Sequence, residues 1–168
     1  MSNLSEDLSQ AAVILSAAFG HMKPPESSVV HVTEHQHEAS GEVASLKAAL
    51  QGKEWSLVDP TIFANCSSGG VHSLTDESFI YYLPLFALSA IKNSDSPIAD
   101  TFKYCLSNTD PRYHRLLESL ASGQRSALGE SLLVLLDYSY GSERHDAYYH
   151  DKAQEIMECF FLPSSKEE

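Results

Sequence analysis

The thirteen residues Phe79-Ile-Tyr-Tyr-Leu-Pro-Leu-Phe-Ala-Leu-Ser-Ala-Ile91 carry no charge, and they limit what this chain can become. Thr75 just before them is a good helix N-cap, and Asp76 and Glu77 suit the positive end of a helix dipole. A helix that is apolar all round belongs at the centre of a domain, with other elements laid against every side. Pro84 lies well inside it and cannot donate to the carbonyl four residues back, so a kink is expected there.

The surrounding pattern is helical too. Leu4, Leu8, Ala11-Ala12, Leu15 and Phe19 recur at helical spacing until Pro24-Pro25, which predicts an amphipathic helix over 4–22. Val43, Leu46 and Leu50 mark a short helix closed near Gly52. Trp55, Leu57 and Pro60-Thr-Ile-Phe63 read as an irregular segment pinned by its aromatics. Ser96-Pro97 and Asp110-Pro111 each join a capping side chain to a proline at the first helical position, which predicts helices over 97–107 and 111–121. Leucines 128, 132, 135 and 136 form the stripe of a helix over 124–138, and a last helix covers 143–161. Residues 23–40 and 64–74, the latter including Cys66-Ser-Ser-Gly-Gly-Val-His-Ser73, read as irregular polar loops, and 163–168 as a tail. The expected fold is all-α: one compact domain of six or seven helices around a proline-kinked central helix.

Composition narrows the function. Hydrophobic residues make up 43% of the 168, which excludes wholesale disorder. Eleven basic residues face 23 acidic ones, a net charge of −12. A field of that sign repels nucleic acid and anionic membranes and favours basic partners. Cys66, Cys105 and Cys159 have no metal-site spacing and read as reduced thiols, and no stretch reads as a membrane span or signal peptide. A cytoplasmic protein is expected.

Several segments resemble a family of uncharacterised bacterial proteins, a domain of unknown function. Its T-x-E-x-F-x-Y-Y-L-P helix is matched by Thr75, Glu77, Phe79 and Tyr81-Tyr82-Leu83-Pro84. Gly52-Lys53-Glu54-Trp55 matches its turn before a tryptophan, and Gln124-Arg125-Ser126-Ala127-Leu128 a later helix. Ala18-Phe19 followed by Pro24-Pro25 fits the end of its first helix. Where members often carry Glu-Cys before the second helix, this chain has Glu42-Val43, so no thiol role carries over. The resemblance implies a small helical bacterial cytosolic protein and no particular chemistry.

Two clusters are candidates for chemistry. His31-Val-Thr-Glu-His-Gln-His-Glu38 holds three imidazoles and two carboxylates. On a strand His31, His35 and His37 share a face, and on a helix His31 and His35 are i, i+4 partners. Either supplies zinc ligands, but no distant residue is nominated to complete the set, and the alternative is a plain polar segment. In the second cluster, His145-Asp146-Ala-Tyr148-Tyr149-His150-Asp151, the histidines lie five apart and diverge on a helix, so they do not chelate together. No staged nucleophile, P-loop or dinucleotide fingerprint is present.

The leading expectation is a non-enzymatic acidic module that binds a basic protein partner, such as an immunity or antitoxin-like inhibitor of a basic toxin, with no cofactor. Asp146, Tyr148, Tyr149, Asp151 and Glu155 on the last helix are its candidate contact residues. The alternatives are a metal-binding protein or metal-dependent hydrolase using zinc on His31, His35 and His37, and an adaptor subunit with an apolar groove along the central helix.

Overall fold

The computed structural model describes residues 3–31, 41–63, 68–107, 110–140 and 147–161. Among them it forms eight α-helices: α1 (Leu4–Phe19), α2 (Gly41–Leu50), α3 (Ser68–His72), α4 (Asp76–Lys92), α5 (Pro97–Cys105), α6 (Pro111–Glu118), α7 (Ser122–Tyr140) and α8 (Ala147–Phe160). Two 3₁₀ turns, Trp55–Leu57 and Pro60–Phe63, lie between α2 and α3. The described residues contain no strand, only a single antiparallel bridge between Val30 and Leu74. The fold is all-α. None of its described helices is long and apolar enough to cross a membrane.

Helix α4 occupies the centre. From Ser78 to Ile91 every residue except Ile80 is buried, and α1, α5, α7 and both 3₁₀ turns pack against it. Thr75 caps it as expected, its Oγ1 accepting the Ser78 N–H at 3.2 Å. The helix is unbroken over Pro84, with Leu83 and Pro84 both buried. Burying Tyr81 and Tyr82 requires partners for their hydroxyls. Tyr82 donates to the carbonyls of Leu50 and Lys53, and Tyr81 accepts the Trp55 N–H at 3.3 Å. These bonds fasten the turn after α2, where Gly52 takes the left-handed φ of +69° that favours glycine, onto the central helix.

Three local expectations need correction. The Ser-Gly segment expected to be loop contains α3, because Val71 is fully buried and the short helix docks between α2 and α5. Tertiary burial outweighs the weak helix propensity of serine and glycine here. Ser96 makes no cap bond; its hydroxyl turns back to donate to the Asn93 carbonyl at 2.6 Å, although Pro97 does open α5. Asp110 is a true cap, accepting the Arg112 N–H at 2.8 Å. Finally, α1 ends at Phe19, and Leu4 stands exposed outside the buried stripe of Ala11, Leu15 and Phe19.

Helices α7 and α8 are in close contact, and this pairing shapes the molecule's main cleft. A Cβ on Gly129 of α7 would lie 2.7 Å from the Cβ of Phe160 and 2.7 Å from Cε2 of Phe161. Only glycine allows α8 so near. Arg125 of α7 then donates to the Cys159 carbonyl at 2.5 Å, satisfying an acceptor at the C-terminal end of α8.

Candidate functional site

A cleft of about 430 Å³ opens between α5, α7 and α8. Helical periodicity builds each wall. On α8, Tyr148, Lys152, Glu155, Ile156, Cys159 and Phe160 fall on one face; on α7, Leu132, Leu136 and Tyr140 are spaced by one turn. Asp100, Lys103, Tyr104, Leu106 and Ser107 complete it from α5 and the turn that follows. The floor is apolar, from Leu132, Leu136, Ile156 and Phe160. The rim is aromatic and charged: Tyr104 is 46% exposed and Tyr148 52%. This combination of apolar lining and a few convergent polar groups is typical of binding sites of this size.

The rim charges are arranged in pairs. Lys103 Nζ lies 2.8 Å from Asp100 Oδ1, and Lys152 Nζ lies 2.6 Å from Glu155 Oε2. Lys152 also stands 5.9 Å above the Tyr148 ring, and that ring packs against Tyr140 at 5.7 Å between centroids. The hydrogen bond that Lys152 donates to Glu155 holds its ammonium above its ordinary pKa. The cleft's own charges therefore cancel, two against two, within a chain that is strongly acidic as a whole.

The structure brings two of the expected contact residues, Tyr148 and Glu155, into this cleft. Tyr149 is turned from it: its hydroxyl donates to Asp137 Oδ1 at 2.5 Å and its ring meets Tyr140 edge-on. Asp151 is exposed on α8 and does not line the cleft, and Asp146 lies outside the described residues. Sequence reading did not single out Tyr104, Tyr140 or Lys152. A signal existed, since 148, 152, 155, 156 and 159 share a helical face, but nothing in the sequence showed that α5 closes the other side. The expected groove along the central helix has no counterpart among the described residues, since α4 is enclosed by its neighbours.

Of the histidine cluster, His35 and His37 lie outside the described residues. His31 is exposed beside the Val30–Leu74 bridge, its backbone N–H donating to the Ser73 carbonyl at 2.8 Å. Among the described residues no three His, Cys, Asp or Glu side chains converge on a point that would hold a metal ion.

A second polar cluster, absent from the sequence reading, joins α3, α5 and α6. The Tyr113 hydroxyl is hydrogen-bonded to His72 Nδ1, and the Cys105 thiol lies close enough to interact with it. Arg112 beside it bonds Asp76 Oδ1 at 2.8 Å, the His72 carbonyl at 3.2 Å and the Leu74 carbonyl at 2.6 Å. The composition suggests a thiol nucleophile with a base, but the environment opposes it. Cys105 is fully buried, and burial pushes its thiol up to about 12, so it remains protonated at neutral pH. Burial likewise raises Tyr113 and lowers His72. All three stay neutral, and the cluster serves to tie three helices together.

Comparison with family models, curated proteins and solved structures finds no match to this chain.

Proposed function

We propose that this chain is a non-enzymatic acidic protein-binding module, of the immunity or antitoxin-like kind, that docks a basic protein partner such as a toxin over the α5–α7–α8 cleft. One observation carries the reading: an open, apolar-floored cleft with two half-exposed tyrosines on its rim, in a chain of net charge −12. Tyrosine supplies large contact area at small entropic cost and is enriched at the centres of interfaces. The long-range field adds speed and partner choice, because opposite charge steers encounter and like charge rejects wrong partners. The neutral cleft and acidic surround divide the work, the first holding the partner and the second attracting it. A cytoplasmic location belongs to the same reading.

The test is capture from the source cell followed by measured binding of the purified partner. A partner with a basic surface should bind the wild-type chain and lose at least about tenfold in affinity to Tyr104→Ala plus Tyr148→Ala, since interface hot spots cost about 2 kcal/mol or more each. Both side chains are half exposed, so the fold should survive their truncation. A partner that is acidic, or one that binds the double variant equally well, rules the reading out.

A further inference from the structure

We propose that Lys152 is a resident stand-in for a basic side chain of the partner, so that the cleft is a site for an alkyl cation which the protein half-fills with its own. The proposal rests on the docking reading above and names the chemistry that the cleft takes. The structure already displays one alkylammonium in place: a carboxylate, Glu155, at 2.6 Å, and an aromatic face, Tyr148, at 5.9 Å. Tyr140 backs that ring at 5.7 Å, and Leu136 and Ile156 offer an apolar bed for a hydrocarbon stem. Ring faces and a carboxylate are the elements that recognise cations with apolar stems.

Lys152 can be displaced because little holds it. The Lys152 and Glu155 side chains are 41% and 45% exposed, so their ion pair is screened by water and contributes little. An incoming arginine competes well: its guanidinium is planar, stacks on tyrosine and bonds a carboxylate through two parallel N–H groups, which an ammonium cannot do. The released Lys152 head extends into solvent, where water replaces its weak, already half-exposed contacts. An anionic occupant is disfavoured. Lys103 and Lys152 are each neutralised by a carboxylate three residues away, and the field of a −12 chain repels anions.

The probes are n-hexylguanidinium, 1-hexanol and hexanoate, three ligands with one hydrocarbon length and different heads. Each is titrated into the full chain and followed by NMR shifts of Tyr104, Tyr148 and Ile156. The cation should bind most tightly and hexanoate most weakly. Lys152→Met keeps the apolar stem but removes the ammonium, and should tighten hexylguanidinium binding about two- to fivefold, the range of an exposed cation–π contact. Lys103→Met makes the same change of charge away from the Tyr148 ring and should alter the affinity less than Lys152→Met does. Tyr148→Leu should erase the cation's advantage over hexanol. Hexanoate binding as tightly as the cation, no cation binding in the cleft, or weaker cation binding to Lys152→Met would each overturn the proposal. The two readings can fail separately. If the cation behaves as expected but the protein partner ignores the tyrosine variants, the cation site stands without the docking reading. If those variants lose the partner and the probes show no preference for the cation, docking stands and the stand-in does not.

Discussion

The Tyr113 hydroxyl is hydrogen-bonded to Nδ1 of His72 across 41 residues of sequence, joining the start of α6 to the end of α3. The His72 imidazole is neutral at neutral pH, because its pKa lies below its ordinary value. Burial is the main cause of its lowered pKa, and the Arg112 guanidinium adds to it, opposed by Asp110. The sign of the linkage follows. The unfolded imidazole titrates near its ordinary value of about 6.5 and the folded one lower, so below about 6.5 the unfolded state takes the proton first. The contribution of His72 is therefore fully present above that pH and is lost as pH falls toward the folded value. His72→Gln should flatten this part of the stability curve, as measured by urea unfolding at several pH values from neutral downward. An unchanged slope would show that the imidazole does not report on folding.

Leu83 is fully buried beside Pro84 in the central helix. Leu83→Ala should cost about 2–5 kcal/mol, the range for a truncated core leucine whose cavity cannot close. Thermal or urea unfolding measures it, and an unaltered midpoint would contradict the central position of α4.

Gly129→Ala sets two effects against each other. Alanine favours helix by about 1 kcal/mol, but overpacking a tight contact costs about 1–3 kcal/mol. The atom it meets at 2.7 Å is the Cβ of Phe160, fixed to its backbone, so α8 must move away. We expect net destabilisation and altered NMR shifts at Tyr148 and Ile156 in the cleft. A more stable variant with unshifted cleft signals would show that the helix pair has room to spare.

Asp151 and Glu158 are exposed on α8 and outside the cleft lining. Changing both to Lys should slow association with a basic partner about three- to tenfold at low salt and leave dissociation nearly unaltered, because they act by steering. The difference should shrink as salt rises and the Debye length falls to about 3 Å at 1 M. Stopped-flow binding at several ionic strengths separates this from a contact effect, which would persist in salt.

The His31, His35 and His37 cluster is open to a direct test. If it is a polar segment, purified protein carries no stoichiometric zinc by plasma emission and melts at the same temperature with a chelator present. His35→Ala plus His37→Ala should then change stability by no more than about 0.5 kcal/mol, as is usual for surface substitutions. One zinc per chain, or a chelator-dependent melt, would favour the metal reading over the docking one.

Most of the helical architecture was legible in the sequence because its signals are local. The uncharged run from Phe79 to Ile91 marked the centre, Thr75 and Asp110 marked two helix starts, and leucines at turn spacing marked α7. Such features depend on neighbours within one turn, so no tertiary knowledge is needed to read them. The α3 helix was not legible, since its Ser-Gly composition signals loop and only the burial of Val71 against the core overrides that. The cleft was half legible: Tyr148 and Glu155 stood out on α8, while Tyr104 and Tyr140 acquired meaning only when α5 and α7 were set beside them. Tyr149 shows the limit most clearly. In sequence it is indistinguishable from Tyr148, yet one step of about 100° round the helix turns its hydroxyl to Asp137 and away from the cleft. The sequence alone determined that a helix forms there and which residues it carries. Which of two adjacent tyrosines opens into the cleft was decided by packing, because a side chain's exposure depends on what lies opposite it.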